Sequence, residues 1–204
     1  MKISNFDEKK AQKAVKLLLE SFGENLNREG LKRTPERVVK FYKKILSGNV
    51  INPLKFTSTC YTIEDHNNGV ILVKDIFFYS ICEHHLLPFF GKAHIAYIPK
   101  NDKIIGISKF VELIEIFAHR LQLQEKLTKQ IADTIVLSIQ PQGVIVIIEA
   151  KHLCISMTKD VKNFGTKVIT FVKRGIFCKD TKKCLEILLL LGMDPCVVRS
   201  EKSK

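Results

Sequence analysis

The strongest restriction on the fold comes from an unbroken run of β-branched residues, Val144–Ile148. Branched side chains favour β-strands, and a strand with one face in water alternates apolar with polar residues. This run contains no polar position, so neither face suits contact with water. We therefore predict a strand that lies inside a sheet and is buried on both faces.

The remaining pattern predicts an α+β fold. In the first fifty residues, Leu17, Leu18 and Phe22 recur at helical spacing, and Thr34 and Pro35 fit an N-cap followed by the first helical position. Strand-like segments lie near 70–73, 76–79, 93–98, 144–148, 152–157 and 167–173, and further helices near 108–119, 125–139 and 181–191. This order favours antiparallel hairpins with the helices packed on one face of the sheet.

Length and composition favour a soluble chain of one or two domains. In its 204 residues no apolar run exceeds five, whereas a membrane-spanning helix needs about 20. The polar N-terminus has no apolar secretory region. Six cysteines are too few for a secreted disulfide scaffold, so we expect thiols. We expect a cytoplasmic protein without a membrane segment.

The net charge of the chain restricts the kinds of partner that it can bind. The chain has 33 basic and 21 acidic residues, a net charge of +12, and residues 151–183 contribute +7 of this excess. The excess is either an ordinary soluble surface or the footprint of a polyanion, which would be nucleic acid or a polyphosphate ligand. Since no nucleic-acid motif accompanies it, a small and highly charged anion is at least as good a candidate.

The densest chemical signal is a possible metal site. Cys82 and His85 have the spacing of two ligands on one turn, and a thiolate with an imidazole suits zinc. If His152 and Cys154 lie on a strand, both point to one face, and Cys154 becomes the third ligand with the fourth position open. The alternative is three unrelated core residues. His84 and His152 remain as imidazoles suited to proton transfer near neutral pH.

Two weaker signals concern a ligand. Ser108 is a plausible N-cap, and with Lys109 it predicts an anion site at a helix start, although an ordinary capped helix with a solvated lysine is the more common explanation. Gln124 and Glu125 begin the next predicted helix. An amide beside a carboxylate can read the donor edge of a guanine, but Glu is also common in a first turn.

Longer motifs, in a fixed order from about residue 10 to 190, carry a family resemblance. The chain resembles GTP cyclohydrolase I, the zinc enzyme that opens pterin synthesis. The motifs are Glu29–Leu31 with Thr34–Val38, Asp75–Ile76, Ser80–His85, Gly91–Pro99, Gly106–Lys109, Leu123–Thr128 and Glu149–Cys154.

The resemblance implies roles for particular residues. They are the zinc ligands Cys82, His85 and Cys154; the catalytic residues His84, His152 and Ser108; the guanine-reading residues Gln124 and Glu125; and the triphosphate-binding residues Ser108, Lys109, Arg37, Lys40 and, less directly aligned, Lys159. It implies hydrolytic opening of the guanine imidazole ring of GTP, which gives formate and 7,8-dihydroneopterin triphosphate for folate or biopterin synthesis.

The resemblance also implies an architecture. The family has the T-fold, an antiparallel four-stranded sheet backed by helices, and it assembles into toroidal homodecamers with active sites between subunits. We divide this chain into an N-terminal helical segment (residues 1–50), a catalytic domain (51–192) and an unmatched tail (193–204). Nucleic acid is then not the expected partner.

Two positions depart from the family pattern. Glu112 stands where family members usually have Arg, and residues 157–160, with Lys159 as their cation, replace an Arg-Gly pair. Two alternatives therefore stay open. The chain could use a different or less phosphorylated guanine nucleotide, or be a weakly active homologue. It could also be a non-catalytic zinc-stabilised scaffold that binds nucleic acid or a regulatory partner, although the spare imidazoles argue against this.

Overall fold

The structure is a computed structural model that describes residues 6–54, 60–62, 69–101, 103–157 and 165–193. The helices in these ranges are α1 (Glu8–Ser21), α2 (Thr34–Ile45), α3 (Ile107–Ala118), α4 (Gln124–Ile139), α5 (Leu153–Ser156) and α6 (Thr181–Leu190). The strands are β1 (Cys60–Thr62), β2 (Ile71–Cys82), β3 (Pro88–Ile98), β4 (Lys103–Ile105), β5 (Leu121–Gln122), β6 (Gly143–His152) and β7 (Val168–Gly175).

The main sheet has the order β5-β2-β3-β6-β7. Strands β2, β3, β6 and β7 are antiparallel neighbours, and the two-residue strand β5 adds a parallel edge to β2. The α+β fold with an antiparallel sheet backed by helices is thus confirmed. Residues Val144–Ile148 lie in β6 and are at most 1% exposed, which confirms the predicted interior strand.

Helices cover both faces of this sheet, so the expectation of helices on one face is wrong. Helices α3 and α4 pack against one face and form the larger apolar cluster. Helix α6 packs on the opposite face, where Ile187 and Leu188 share a second apolar cluster with Ile145 and Ile147. The physical reason is that β6 is apolar at every position from Val144 to Ile148, so its second face also requires a cover.

Strand β2 replaces two predicted segments with one bulged strand. Its pairing with β3 shifts register between Val73 and Ile76, and Asp75 there has a φ of 61°. One extra residue on β2 turns the strand locally. As a result, both Val73 and Ile76 pack in the cluster beneath α3 and α4, although their separation is odd.

Neither Thr34 nor Ser108 is the N-cap that the sequence predicts. Thr34 is the first residue of α2 rather than its N-cap, and Gly106 precedes α3, so Ser108 lies inside the first turn.

Helix α1 packs on α2, and none of residues 8–21 is buried. The Tyr42 hydroxyl of α2 donates to the Leu86 carbonyl at 3.0 Å, which ties the helical segment to the turn after β2. Within the described ranges, no helix combines the length and apolar character needed to cross a bilayer.

Candidate metal centre and nucleotide site

A tight turn at the end of β2 brings His85 beside Cys82. The Leu86 N–H donates to the Cys82 carbonyl, and the Cys82 N–H donates to the Leu87 carbonyl, both at 2.9 Å. Leu86 has a φ of 55°, in the left-handed region that closes the turn. The Cys82 Sγ then lies 3.8 Å from the His85 Nδ1.

Cys154 completes the group from a different element than expected. Strand β6 ends at His152, and Cys154 lies in the short helix α5, so the predicted strand over 152–157 is wrong. A helical turn nevertheless points its sulfur toward β2, and the ligand atoms of Cys82, His85 and Cys154 lie within 4.8 Å of one another. Tetrahedral zinc with such ligands separates them by roughly 3.5–3.8 Å, so the group fits with a small contraction.

Without a bound metal, the surroundings of Cys154 favour its neutral thiol. Cys82 and Cys154 are 5% and 8% exposed, whereas His85 is exposed and faces solvent. Burial raises the pKa of the Cys154 thiol, and the adjacent Cys82 sulfur raises it further. Both effects oppose a thiolate without a counter-charge, and a bound divalent cation reverses them.

His152 is held in one tautomer by Gln124. The Gln124 Nε2 donates to the carbonyls of Ile148 and Val168 and to the Thr170 hydroxyl, at 3.0, 2.9 and 3.1 Å. Since carbonyls only accept, the Gln124 Oε1 must face His152, whose Nε2 lies 2.8 Å away. The His152 Nε2 therefore carries the proton, and its Nδ1 keeps the lone pair.

The surroundings of His152 also favour the neutral ring. Its imidazole stacks on Phe89, with centroids 4.6 Å apart and planes at 4°. Burial lowers the pKa of His152, and the Glu125 carboxylate partly opposes this shift. His84 is exposed, and its ring lies 6.1 Å from that of His85 in an edge-to-face arrangement. A neutral imidazole and an exposed one thus lie beside the metal group.

Ser108 and Lys109 lie far from this group in the same chain. The last residue of α3, Ala118, accepts a hydrogen bond from Ser80 of β2 at 2.6 Å, close to Cys82. The first turn of α3 is the opposite end of a 12-residue helix, about 16 Å away. There the Lys109 Nζ pairs with the Glu112 carboxylate at 2.6 Å.

The other predicted anion ligands are spread over the surface. Arg37 and Lys40 are exposed on α2, and Lys40 lines a groove against α1 together with Glu8 and Lys43. Lys159 lies outside the described residues. Among the residues that the structure describes, one chain therefore brings together the candidate metal ligands, His84, His152, Gln124 and Glu125, but not the predicted triphosphate residues of α2 and α3.

Sequence reasoning did not find the residues that hold His152. Phe89 is its strand partner on β3, and Thr128 shares a 2.6 Å hydrogen bond with the Thr170 that accepts from Gln124. Each contact joins segments 42 or more residues apart, Phe89 to His152 by 63. No local spacing signals such pairs, although the placement of Phe89 opposite His152 follows once the register of β3 and β6 is known.

The fold and site together define a class of protein: α+β chains with a two-thiol, one-imidazole metal group at one end of an antiparallel sheet. Comparison with known proteins narrows the class. The model of the GTP cyclohydrolase I family matches residues 11–191, and the chain belongs to this family of enzymes.

Relatives support the assignment over nearly the whole chain. The chain is 50% identical to a GTP cyclohydrolase 1 of Pelotomaculum thermopropionicum over 91% of its own length and 97% of the relative. It is 46% identical to a GTP cyclohydrolase 1 of Clostridioides difficile, over 94% and 100% respectively. Among solved structures, an archaeosine synthase QueF-like protein is similar with a TM-score of 0.43 and 16% identity, over 54% of this chain and 97% of the other.

Proposed function

We propose that this chain is a zinc-dependent GTP cyclohydrolase I. It opens the imidazole ring of the guanine of GTP by hydrolysis and gives formate and 7,8-dihydroneopterin triphosphate, the first step of pterin synthesis. The observation that carries the proposal is the Cys82, His85 and Cys154 group with the oriented His152 beside it. A structural metal site alone would have no use for that oriented imidazole.

The donor set supports zinc as the metal. Two thiolates and an imidazole are soft and borderline ligands that suit zinc better than magnesium or calcium. Three protein ligands and the exposed side at His85 match a catalytic centre that keeps one position open. Zinc bound there supplies Lewis-acid chemistry that makes hydroxide available at neutral pH.

The proton transfers fall to the two free imidazoles. The His152 Nδ1 lone pair can accept a proton, and the Gln124 carbonyl stabilises the resulting cation through Nε2. His84 is exposed, so its imidazole is accessible for exchange of protons with substrate and solvent. We assign His152 to the ring nitrogen step and His84 to the opened intermediate.

Guanine recognition falls mainly to Glu125. Its carboxylate is exposed at the start of α4 and close enough to influence His152. A carboxylate accepts hydrogen bonds from the N1–H and the amino group of guanine. The Gln124 side chain is 1% exposed and bonded within the chain, so we assign to it the orientation of His152 rather than direct contact with the base.

The triphosphate ligands point to an assembly of several copies. Ser108 and Lys109 lie at the start of α3, about 16 Å from Ala118 at the other end of the helix. Since Ala118 is the end that lies near β2 and Cys82, we infer that they do not share one nucleotide with the metal group of their own chain. A second copy that brings its α3 start to this metal group would complete the site. We therefore propose a homo-oligomer, with the toroidal decamer of the family as its form, in the cytoplasm.

One observation favours a variant of this function. The Glu112 carboxylate neutralises Lys109, which reduces the positive charge that the α3 start offers to a polyphosphate. A nucleotide with fewer phosphates carries less negative charge, so this loss of positive charge weakens its binding less. GDP is accordingly the second candidate substrate.

The test is direct. Purified protein with zinc is incubated with GTP, GDP or GMP, and formate and fluorescent pterin are measured together with the zinc content. We expect about one zinc per chain, both products from GTP in equal amounts, and lower rates with GDP. Turnover of GDP alone would establish the second candidate, and no product from any nucleotide by a zinc-loaded protein would refute both.

A further inference from the structure

Strand β2 has a bulge at Asp75, seven residues before the candidate metal ligand Cys82. Val73 pairs with Ile95 and Ile76 pairs with Ala93, so Lys74 and Asp75 together face a single residue of β3, His94. The Asp75 φ of 61° is uncommon for a residue with a side chain, although Asp tolerates it better than most.

His94 and Lys92 hold this bulge in place. The Asp75 N–H donates to the His94 Nδ1 at 3.1 Å, and the Lys92 Nζ pairs with the Asp75 carboxylate at 2.7 Å. An acceptor at Nδ1 requires the neutral ring with its proton on Nε2. Burial lowers the pKa of His94, which keeps the ring in that form.

The buried position of His94 is explained by this one contact. The side chain is 5% exposed, and its Nε2 has no hydrogen-bond partner among the residues that the structure describes. A buried polar atom without a partner costs free energy, so an apolar residue would suit the surroundings better. What His94 contributes in return is the acceptor for the Asp75 N–H.

The bulge decides which face of the sheet carries Cys82. Side chains alternate along a strand, and one extra residue exchanges the two faces for everything beyond it. Before the bulge Val73 packs beneath α3 and α4, and after it Ile76, Phe78 and Cys82 do so, in the cluster that also holds Cys154. With regular pairing throughout, Cys82 would lie on the opposite face from Cys154.

We propose that His94 is a positioning residue for the metal centre: by holding the bulge at Asp75, it sets the face on which the Cys82 sulfur lies. The function of this placement rests on the proposed zinc chemistry. The placement itself, Cys82 beside Cys154, exists with or without a metal. It can therefore be tested separately.

The first measurement uses Co²⁺ as a spectroscopic replacement for zinc. His94→Leu removes the acceptor but keeps the bulk, whereas His94→Asn keeps an acceptor oxygen near the position of Nδ1. We expect His94→Leu to bind Co²⁺ roughly 10- to 100-fold more weakly, the range for residues that orient metal ligands, with a weaker thiolate-to-cobalt absorption band. His94→Asn should stay close to wild type.

The second measurement needs no metal. Chelated protein is treated with diamide, which oxidises neighbouring thiols to a disulfide, and the Cys82–Cys154 crosslink is quantified by peptide mapping. We expect a lower yield in His94→Leu than in wild type and His94→Asn. Adding Asp75→Gly to His94→Leu should restore part of it, since glycine adopts a φ of 61° without strain.

The outcomes separate the two proposals. A wild-type protein that crosslinks these cysteines but binds no Co²⁺ would refute the metal centre and leave the positioning role supported by the crosslinks. Equal crosslink yields and equal cobalt spectra in wild type and His94→Leu would overturn the role of His94. Equal losses in the Leu and Asn variants would also overturn it, because the Asn variant keeps the acceptor.

Discussion

The two ends of the sheet differ in how completely a single chain builds them. At the metal end, Cys82, Cys154 and Gln124 are buried, and hydrogen bonds hold His152 in one orientation. At the start of α3, Ser108 is exposed, and Lys109 pairs with Glu112 on the surface. The candidate metal residues are thus fixed by the core of one chain, while the predicted anion-binding residues at the α3 start lie on its surface.

The largest expected effect comes from breaking the metal end. Cys154→Ser removes one of three protein ligands, so zinc content should fall from about one per chain to a small fraction, with loss of formate release. Metal analysis after gel filtration measures this. Cys178→Ser is the matched control, since Cys178 is an exposed thiol elsewhere. Full zinc content in Cys154→Ser would show that Cys154 is not a ligand.

Removal of an imidazole tests the metal end without removing a ligand. His152→Ala and His84→Ala should keep the fold and the zinc but lower the rate of pterin formation by roughly 10²- to 10⁴-fold, the usual contribution of an acid–base group. Turnover assays and metal analysis on the same samples provide the measurement. Near wild-type rates in both variants would make these histidines structural.

A smaller effect is expected at the anion end. Glu112→Arg frees Lys109 and adds a positive charge, so the KM for GTP should fall about fivefold, equivalent to about 1 kcal/mol for a wet charge pair. High salt should narrow the difference, because exposed charges are screened. GTP titrations at low and high salt measure both effects.

The control for Glu112 is another acidic residue on the same helix. Glu115→Arg makes the same change of charge one turn further along α3, beside His119 rather than Lys109. It should leave the KM nearly unchanged. Equal effects of the two substitutions would indicate general steering of GTP by net charge rather than a local contact.

The smallest effect concerns stability and pH. Burial lowers the pKa of His94 and of His119 below the ordinary value of about 6.5. As pH falls through that range, the unfolded chain takes up protons before the folded chain does, so the free energy of unfolding decreases. Urea midpoints at about pH 7.5 and about pH 5.5 should therefore differ, with the lower value in acid.

His119→Gln provides the control for that prediction. Glutamine does not titrate, so the loss of stability in acid should be smaller than in wild type. Glu115 and Lys44 act on His119 in opposite directions, so neither dominates the effect of burial. An equal loss of stability in His119→Gln would show that other groups, such as the buried His94, cause the pH dependence.

The sequence predicted features that depend on local pattern. The run Val144–Ile148 indicates an interior strand because no polar residue interrupts it. The spacing of Cys82 and His85 suits a turn, and the structure has one. The sequence predicted that Cys154 lies beside Cys82 and His85, but it placed Cys154 on a strand, whereas the structure places it in α5. The local sequence after His152 is compatible with either a continued strand or a helical turn.

Other features depend on contacts between distant segments. Periodicity shows which side of α6 is apolar but not which face of the sheet it covers, so its position had no local signal. The bulge at Asp75 is set by His94, 19 residues away, and the role of Gln124 is set by Val168 and Thr170. The sequence predicted a guanine-reading role for Gln124 from the chemistry of its side chain, because its hydrogen-bond partners in the fold cannot be read from local sequence.

The stack of Phe89 on His152 makes this site observable by NMR. Ring currents of a parallel phenyl ring at 4.6 Å shield the protons of the imidazole, so the His152 resonances should lie upfield among those of the six histidines. Phe89→Leu would return them to the common region and so assign them. The resonance then reports proton and ligand binding at one imidazole in unlabelled protein, a native probe that the fold supplies beside the candidate metal group.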